Sequence, residues 1–207
     1  MSPDTTTWNR WRYTVWAPIY DAVARFGRQR RRSLALLALQ PGERVLVVGA
    51  GTGADLPFIP AGVEVLATDL TPAMLARARS HARPGVELQV MDGQALDLPD
   101  ASFDAVILHL IVAVIPDPVA CLREAARVLK PGGRIAVFDK FLPDGARPSP
   151  PRRAANALTS FLFTDINRRF GDILAASGAP LRVEHDEPAL FGGMFRILRL
   201  VKLQSVQ

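Results

Sequence analysis

VLVVGAGTGADLPFI occupies residues 45–59. An apolar run rich in β-branched residues leads into glycines at positions 49, 51 and 53, and then into the acid Asp55. A short apolar stretch ended by glycine reads as a strand buried on both faces, the kind found inside a parallel sheet. A bare strand-to-helix turn would need one glycine or two. Three at alternate positions keep side chains away from the backbone, so that something can approach it closely.

Working outward, similar runs recur at Val63–Thr68, Val86–Val90, Ala105–Leu108 and Arg134–Phe138. Helical patterns lie between them. One spans Pro72–His81, with Thr71 as N-cap and Pro72 at the first helical position; another spans Pro118–Leu129 and is opened by Asp117. Pro131, Gly132 and Gly133 stop the second helix and release the chain into the next strand. Alternating strands and helices predict an α/β fold with a doubly wound, mostly parallel sheet and helices on both faces. Beyond Phe138, Pro143–Pro151 reads as a link and Arg153–Ala176 as helical. Leu181–Leu190 and Phe195–Leu203 read as two strands joined through Gly192–Gly193, a C-terminal antiparallel pair that brings the count to seven. Phe161, Phe163, Phe170, Phe191 and Phe195 suit an apolar pocket or an ordinary core, with the core expected for most.

The composition is that of a globular chain, with 49% hydrophobic and 22% charged residues among 207. The single Cys121 excludes a disulfide framework and any zinc site built on several thiolates. No His-rich metal constellation and no Ser-His-Asp arrangement is visible. The net charge of +5 sits entirely within residues 1–40, where seven arginines face only Asp4 and Asp21. All three tryptophans and both tyrosines lie in the first 20 residues. Pro18 divides this segment into two short amphipathic patterns, the second reaching through the arginines toward Leu39. The expected organisation is therefore a basic, aromatic-rich N-terminal unit over 1–40, either a helical lid or a membrane-surface segment, ahead of a domain over 41–207. No signal-peptide core is present, and the longest apolar runs fall short of the roughly 18 residues a membrane span needs. A cytoplasmic location follows, soluble or peripheral at the inner membrane face. The basic arm carries no readout helix or RNA-binding motif, so nucleic acid is not an expected partner; the oligomeric state is not specified.

GAGTGA satisfies both G-x-G-x-x-A, the dinucleotide fingerprint, and G-x-G-x-G, and a plain tight turn is the third reading. Asp69, about 20 residues on, ends the second strand, where a carboxylate can accept both hydroxyls of a ribose; its bland alternative is an acid ahead of the Thr71 helix. Asp92 follows the third strand, placed to accept from the exocyclic amine of an adenine, unless Asp92-Gly93 is only a turn.

In order and spacing, VLVVGAGTGADL, ATDLTPAML, MDGQALDLPDASFDAVIL and RVLKPGGRIAVF resemble the successive motifs of class I S-adenosylmethionine-dependent methyltransferases, over about residues 41–140. The resemblance implies a Rossmann-like fold and S-adenosylmethionine as cofactor. It places Gly49, Ala50, Gly51 and Gly53 beneath the methionine moiety, Asp69 with Leu70 at the ribose, and Asp92 with Gly93 at the adenine. Within that family the chain is most similar to the branch of bacterial phosphatidylethanolamine N-methyltransferases and, more distantly, quinone C-methyltransferases. Trp16-Ala17-Pro18-Ile19-Tyr20-Asp21 and Ile111-Val112-Ala113-Val114-Ile115-Pro116-Asp117-Pro118 carry the likeness. It implies that Tyr20 approaches the reactive end of the cofactor.

An arginine-dense, tryptophan-rich segment suits an anionic membrane surface, each basic residue contributing on the order of 1 kcal/mol near it; the alternative is a lid with a solvated arginine face. The acceptor is thus expected to be a small molecule or a lipid, with an N-methylated phospholipid headgroup ahead of a quinone precursor. His109 ends the fourth strand, where ligands bind in such folds, and is a candidate for the cofactor site or for proton transfer, against a satisfied core histidine. Asp139 ends the fifth strand and either orients a cationic amine or pairs with Lys140 or a nearby arginine. A nicotinamide-dependent oxidoreductase using the same glycines is the competing enzyme class.

Overall fold

The protein is described over residues 26–142 and 167–204 of a computed structural model. Seven strands form one sheet: β1 (Arg44–Val48), β2 (Glu64–Asp69), β3 (Val86–Val90), β4 (Phe103–His109), β5 (Leu129–Lys140), β6 (Leu181–Leu190) and β7 (Phe195–Lys202). Their order is β3-β2-β1-β4-β5-β7-β6. β1 to β5 are parallel, while β7 runs antiparallel to both β5 and β6. β1 sits between β2 and β4, so the strand order reverses there and a crevice opens at the carboxyl ends.

The two-residue period of the strands sorts the core into two layers. Leu46, Val48, Val106, Leu108, Ile135 and Val137 point to one face and pack against α3 (Pro118–Val128) and α4 (Phe170–Ser177). Val45, Val47, Ala105, Ile107 and Ala136 point to the other, against Leu34 of α1 (Gly27–Ala35), Leu37 and Leu56. A third helix, α2 (Pro72–Ala78), follows β2. Burying each of these aliphatic side chains contributes roughly 1.5–3 kcal/mol, so both layers are strong.

Several elements differ from the sequence reading. No α-helix follows the glycines: the chain makes turns and one short 3₁₀ segment, Leu56–Phe58, because Pro57 and Pro60 leave no room for a regular helix. β5 begins at Leu129, directly after α3, because Leu129 pairs with Phe103 before a register shift lets Arg134 pair with Ala105. Thr71 precedes α2 but makes no side-chain cap bond, whereas Asp117 caps α3 by accepting from the Ala120 amide at 2.9 Å. Phe170 and Phe195 are buried as expected, but Phe191 is 71% exposed at the β6–β7 turn.

The arginine run keeps most of the expected solvated face, since Arg28, Arg31 and Arg32 are exposed and only Arg30 is buried. Arg30 is buried against Asp55, Arg31 lies over the Phe58 ring at 5.3 Å, and Arg32 forms a two-pronged pair with Glu187 at 3.0 and 3.2 Å. Three of the charges in Arg28–Arg32 are therefore engaged by the protein itself. Tyr20, the aromatic N-terminus, Phe161 and Phe163 lie outside the described residues. Among the described residues, no helix is long and apolar enough to cross a membrane.

Candidate functional site

A crevice, partly open to solvent, lies at the carboxyl rim of the sheet, the place where ligands bind in open α/β sheets. Four segments wall it: Gly49 and Gly51 after β1, Asp69, Leu70 and Thr71 at the end of β2, Met91 to Gln94 after β3, and residues from Leu110 to Pro116 after β4.

The three glycines answer different needs. Gly49, at φ +68°, lies beneath Ile111, whose Cδ1 would stand 2.6 Å from an added Cβ. Gly53 lets α2 approach, since a Cβ there would lie 3.0 Å from Ala78. Gly51 differs: at φ +56° it faces no described atom within 4 Å of where a side chain would begin. The backbone is bare there and the space beside it is free, a cradle shaped for a ligand.

Asp69 stands at the opposite wall. Its Oδ2 accepts from the Gly51 amide at 2.9 Å and its Oδ1 from the Thr71 amide at 2.8 Å. Burial raises the Asp69 pKa, against the pull of these hydrogen bonds. The carboxylate so fixes the glycine loop to β2 and still has lone-pair capacity toward the cleft. Asp92 is half-buried and accepts from the Gln94 amide at 2.9 Å and from its Nε2 at 3.0 Å. Gln94 in turn accepts from the Asp117 amide at 2.8 Å, which links this wall to the start of α3. Gly93 packs on the core side, where a Cβ would meet Val48 at 2.6 Å.

Of the residues singled out from sequence, Gly49, Gly51, Asp69, Leu70, Asp92 and Gly93 converge on the cleft. Ala50 is buried behind it, its amide donating to Thr68 at 2.8 Å. His109 does not reach it. It shares the face of Ile107, so its ring turns toward α1, where Nδ1 meets Asp55 at 2.7 Å and Nε2 meets Ser33 at 3.0 Å. With both nitrogens occupied and 3% exposure, it is no candidate for proton exchange with a substrate.

Asp139 is likewise corrected. It is fully buried; Oδ2 accepts from the Ala113 amide and Oδ1 from that of Lys140, at 2.9 and 2.8 Å. It shapes the loop after β4 rather than meeting an amine. Arg168 holds the same loop from outside, donating to the carbonyls of Val112 and Ile115. Asp55, Ser33, Arg30 and Arg168 were not found by sequence reasoning. A Ser-His-Asp arrangement does exist, assembled from positions 33, 109 and 55.

The residues present fit an adenosyl sulfonium: a bare, open glycine loop, a carboxylate at the tip of β2, an acid after β3, and apolar walls from Met91, Leu110, Ile111, Val114 and Ile115.

Comparison with known proteins agrees. The family model described as a methyltransferase domain matches residues 46–137. The chain is 34% identical over 194 residues to a phosphatidylethanolamine N-methyltransferase of Cereibacter sphaeroides, covering 90% of this chain and 94% of that protein. It is 39% identical over 130 residues to a demethylmenaquinone methyltransferase of Renibacterium salmoninarum, covering 59% of this chain and 54% of that one. In structure it is similar to phosphoethanolamine N-methyltransferase 2 of Haemonchus contortus, solved with S-adenosyl-L-methionine, at TM-score 0.69 and 18% identity over 86% of this chain and 53% of that one. The nicotinamide reading of the same glycines is thereby set aside. The chain belongs to the S-adenosylmethionine-dependent methyltransferases of Rossmann-like fold, and S-adenosylmethionine is its cofactor.

Proposed function

We propose that the protein transfers methyl groups to the headgroup amine of a phosphatidylethanolamine-type phospholipid. One observation carries the reading: the likeness to the phosphatidylethanolamine enzyme extends over 90% of the chain, well beyond the cofactor-binding region. The likeness to the Renibacterium quinone enzyme, although 39% identical where it holds, covers 59%. That local identity supports a quinone precursor as the second reading.

When bound, S-adenosylmethionine supplies a methyl on a sulfonium whose sulfur leaves as a neutral thioether. The protein then needs to align, dehydrate and hold. In this reading Gly51 gives the backbone its close approach, Asp69 accepts from the ribose hydroxyls, and Asp92 accepts from the adenine amine. Leu110, Ile111, Val114 and Ile115 exclude water from the reacting end. The loop bearing them is kept rigid by Asp139 and Arg168 from two sides. Tyr20 positions the acceptor amine. A lipid-borne acceptor brings the protein to a bilayer surface; the aromatic N-terminus and the exposed Arg28, Arg31 and Arg32 are the groups offered to it, while Arg30 is buried.

The test is transfer of label from methyl-labelled cofactor to phosphatidylethanolamine in vesicles, to a demethylated naphthoquinone and to free ethanolamine, side by side. Mass spectrometry should identify mono- or dimethylated phosphatidylethanolamine. Label appearing in the quinone alone, from protein that binds S-adenosylhomocysteine, rejects this acceptor and selects the second reading.

A further inference from the structure

Behind the cleft lies a buried polar cluster that the cofactor site does not account for. Asp55, His109, Ser33 and Arg30 are 3%, 3%, 0% and 6% exposed. Asp55 Oδ1 meets His109 Nδ1 at 2.7 Å, His109 Nε2 meets Ser33 Oγ at 3.0 Å, and Arg30 donates to Asp55 Oδ2. Buried charges persist only when paired and hydrogen-bonded, and here a continuous chain of bonds runs from Arg30 Nη1 through Asp55 and His109 to Ser33.

Serine, histidine and aspartate are connected here as in a hydrolytic triad. A nucleophilic role is nevertheless excluded by access. Ser33 lies on the inner face of α1 and has no exposed surface, so no acyl group can reach it while α1 is in place. Arg30 also occupies the carboxylate oxygen facing away from the histidine.

What the cluster joins is more telling. Asp55 ends the glycine loop, which has no α-helix behind it to hold it rigid. His109 immediately precedes the other wall, whose Leu110 stands at φ +59° with its amide donating to Phe138 at 2.8 Å. Ile111 of that wall covers Gly49. The Asp55–His109 bond therefore fixes the far end of one wall to the root of the other, as Asp69 fixes the near end through Gly51. Burial would raise the Asp55 pKa, but the facing His109 and Arg30 outweigh it and hold the carboxylate below its usual range.

We infer that Asp55 and His109 are positioning residues, holding the glycine loop and the loop after β4 at the spacing S-adenosylmethionine requires, with α1 docked onto them through Arg30 and Ser33. Nothing in this depends on which acceptor is methylated.

Asp55→Asn and His109→Asn, made in the full chain, test it by calorimetric binding of S-adenosylhomocysteine well below each variant's own Tm, with the unmodified protein as reference. The expected result is a Kd raised at least about fivefold, or ~1 kcal/mol, with faster amide exchange at Gly51 and Gly53 but not in β5. A cluster that merely stabilises the fold would lower Tm and leave the Kd of the folded variants within about twofold, and that result overturns the inference. Should Asp55→Asn fail to fold with Arg30 stranded, His109→Asn leaves the Arg30–Asp55 pair intact and carries the same comparison.

Discussion

Replacing Gly51 and Gly49 by alanine, one at a time, separates space kept for a ligand from space kept for packing. Both stand in the left-handed region, at φ +56° and +68°, where a Cβ costs roughly 1–2 kcal/mol. At Gly51 nothing described lies within 4 Å of the added methyl, so the backbone cost stands alone. In a chain of this size that corresponds to a Tm lower by roughly 2–8 °C. At Gly49 the methyl would stand 2.6 and 2.8 Å from Ile111 Cδ1 and Cγ1. Overpacking adds about 1–3 kcal/mol, for a total near 2–5 kcal/mol and a fall of roughly 4–20 °C. Binding should rank the other way relative to stability. Gly51→Ala fills the cradle itself and should weaken S-adenosylhomocysteine at least about tenfold, or ~1.4 kcal/mol, despite its smaller effect on Tm. Differential scanning calorimetry and titration calorimetry on the same preparations give both numbers. If Gly51→Ala shows the modest fall in Tm yet binds the ligand as tightly as the unmodified protein, the open space at Gly51 is not where the cofactor lies.

Arg168→Met removes two charge-assisted bonds to the Val112 and Ile115 carbonyls; a loss of about 2–3 kcal/mol by urea denaturation is expected, together with weaker cofactor binding, and unchanged binding would mean that this loop needs no outer clamp. Burial raises the Asp139 pKa in the folded protein, so the folded state holds that proton to higher pH than the unfolded chain, and stability from this group falls as pH rises from about 4 through the raised value. Asp139→Asn abolishes that decline: its stability relative to the unmodified protein should rise over the window, and the opposite trend refutes the assignment. Cys121 is buried and its thiol is pushed up to about 12 by burial, with Asp92, Asp117 and Glu124 adding to the shift. A thiol reagent should therefore label it only at the rate of global opening, and a fast phase in native buffer would contradict the packing.

Most of the sheet was legible because its strands are strongly patterned. Val86–Val90 has the expected bounds, and the other parallel strands deviate where tertiary pairing decides an end, as when Leu129 pairs with Phe103 across a register shift. The connection after Gly53 was less legible, since glycines following a buried strand usually open a helix. Here Pro57 and Pro60 veto one. The arginine run was legible in part: Arg28, Arg31 and Arg32 are exposed, but what buries Arg30 is Asp55, 25 residues away, and the surface partner of Arg32 is Glu187, 155 residues away.

At the site, Gly49, Gly51, Asp92 and, from the tip of β2, Asp69 line the cleft as expected, whereas His109 and Asp139 near the ends of β4 and β5 do not. Yet the strand period contained the answer. In β4, Ala105 and Ile107 face α1 while Val106 and Leu108 face α3, so His109 falls on the α1 side by parity and away from the cleft. In β5 the same parity sends Asp139 to the side of Ile135 and Val137, where the loop after β4 folds back and offers it the Ala113 amide. A polar residue near the carboxyl end of a buried strand thus takes its role from the face it inherits. Here both such residues became ties holding the walls of the cleft, one on each face of the sheet. That symmetry is physically reasonable for chemistry that asks chiefly for alignment: with a leaving group already activated, the polar groups of the fold are best spent on rigidity around the apolar end of the pocket.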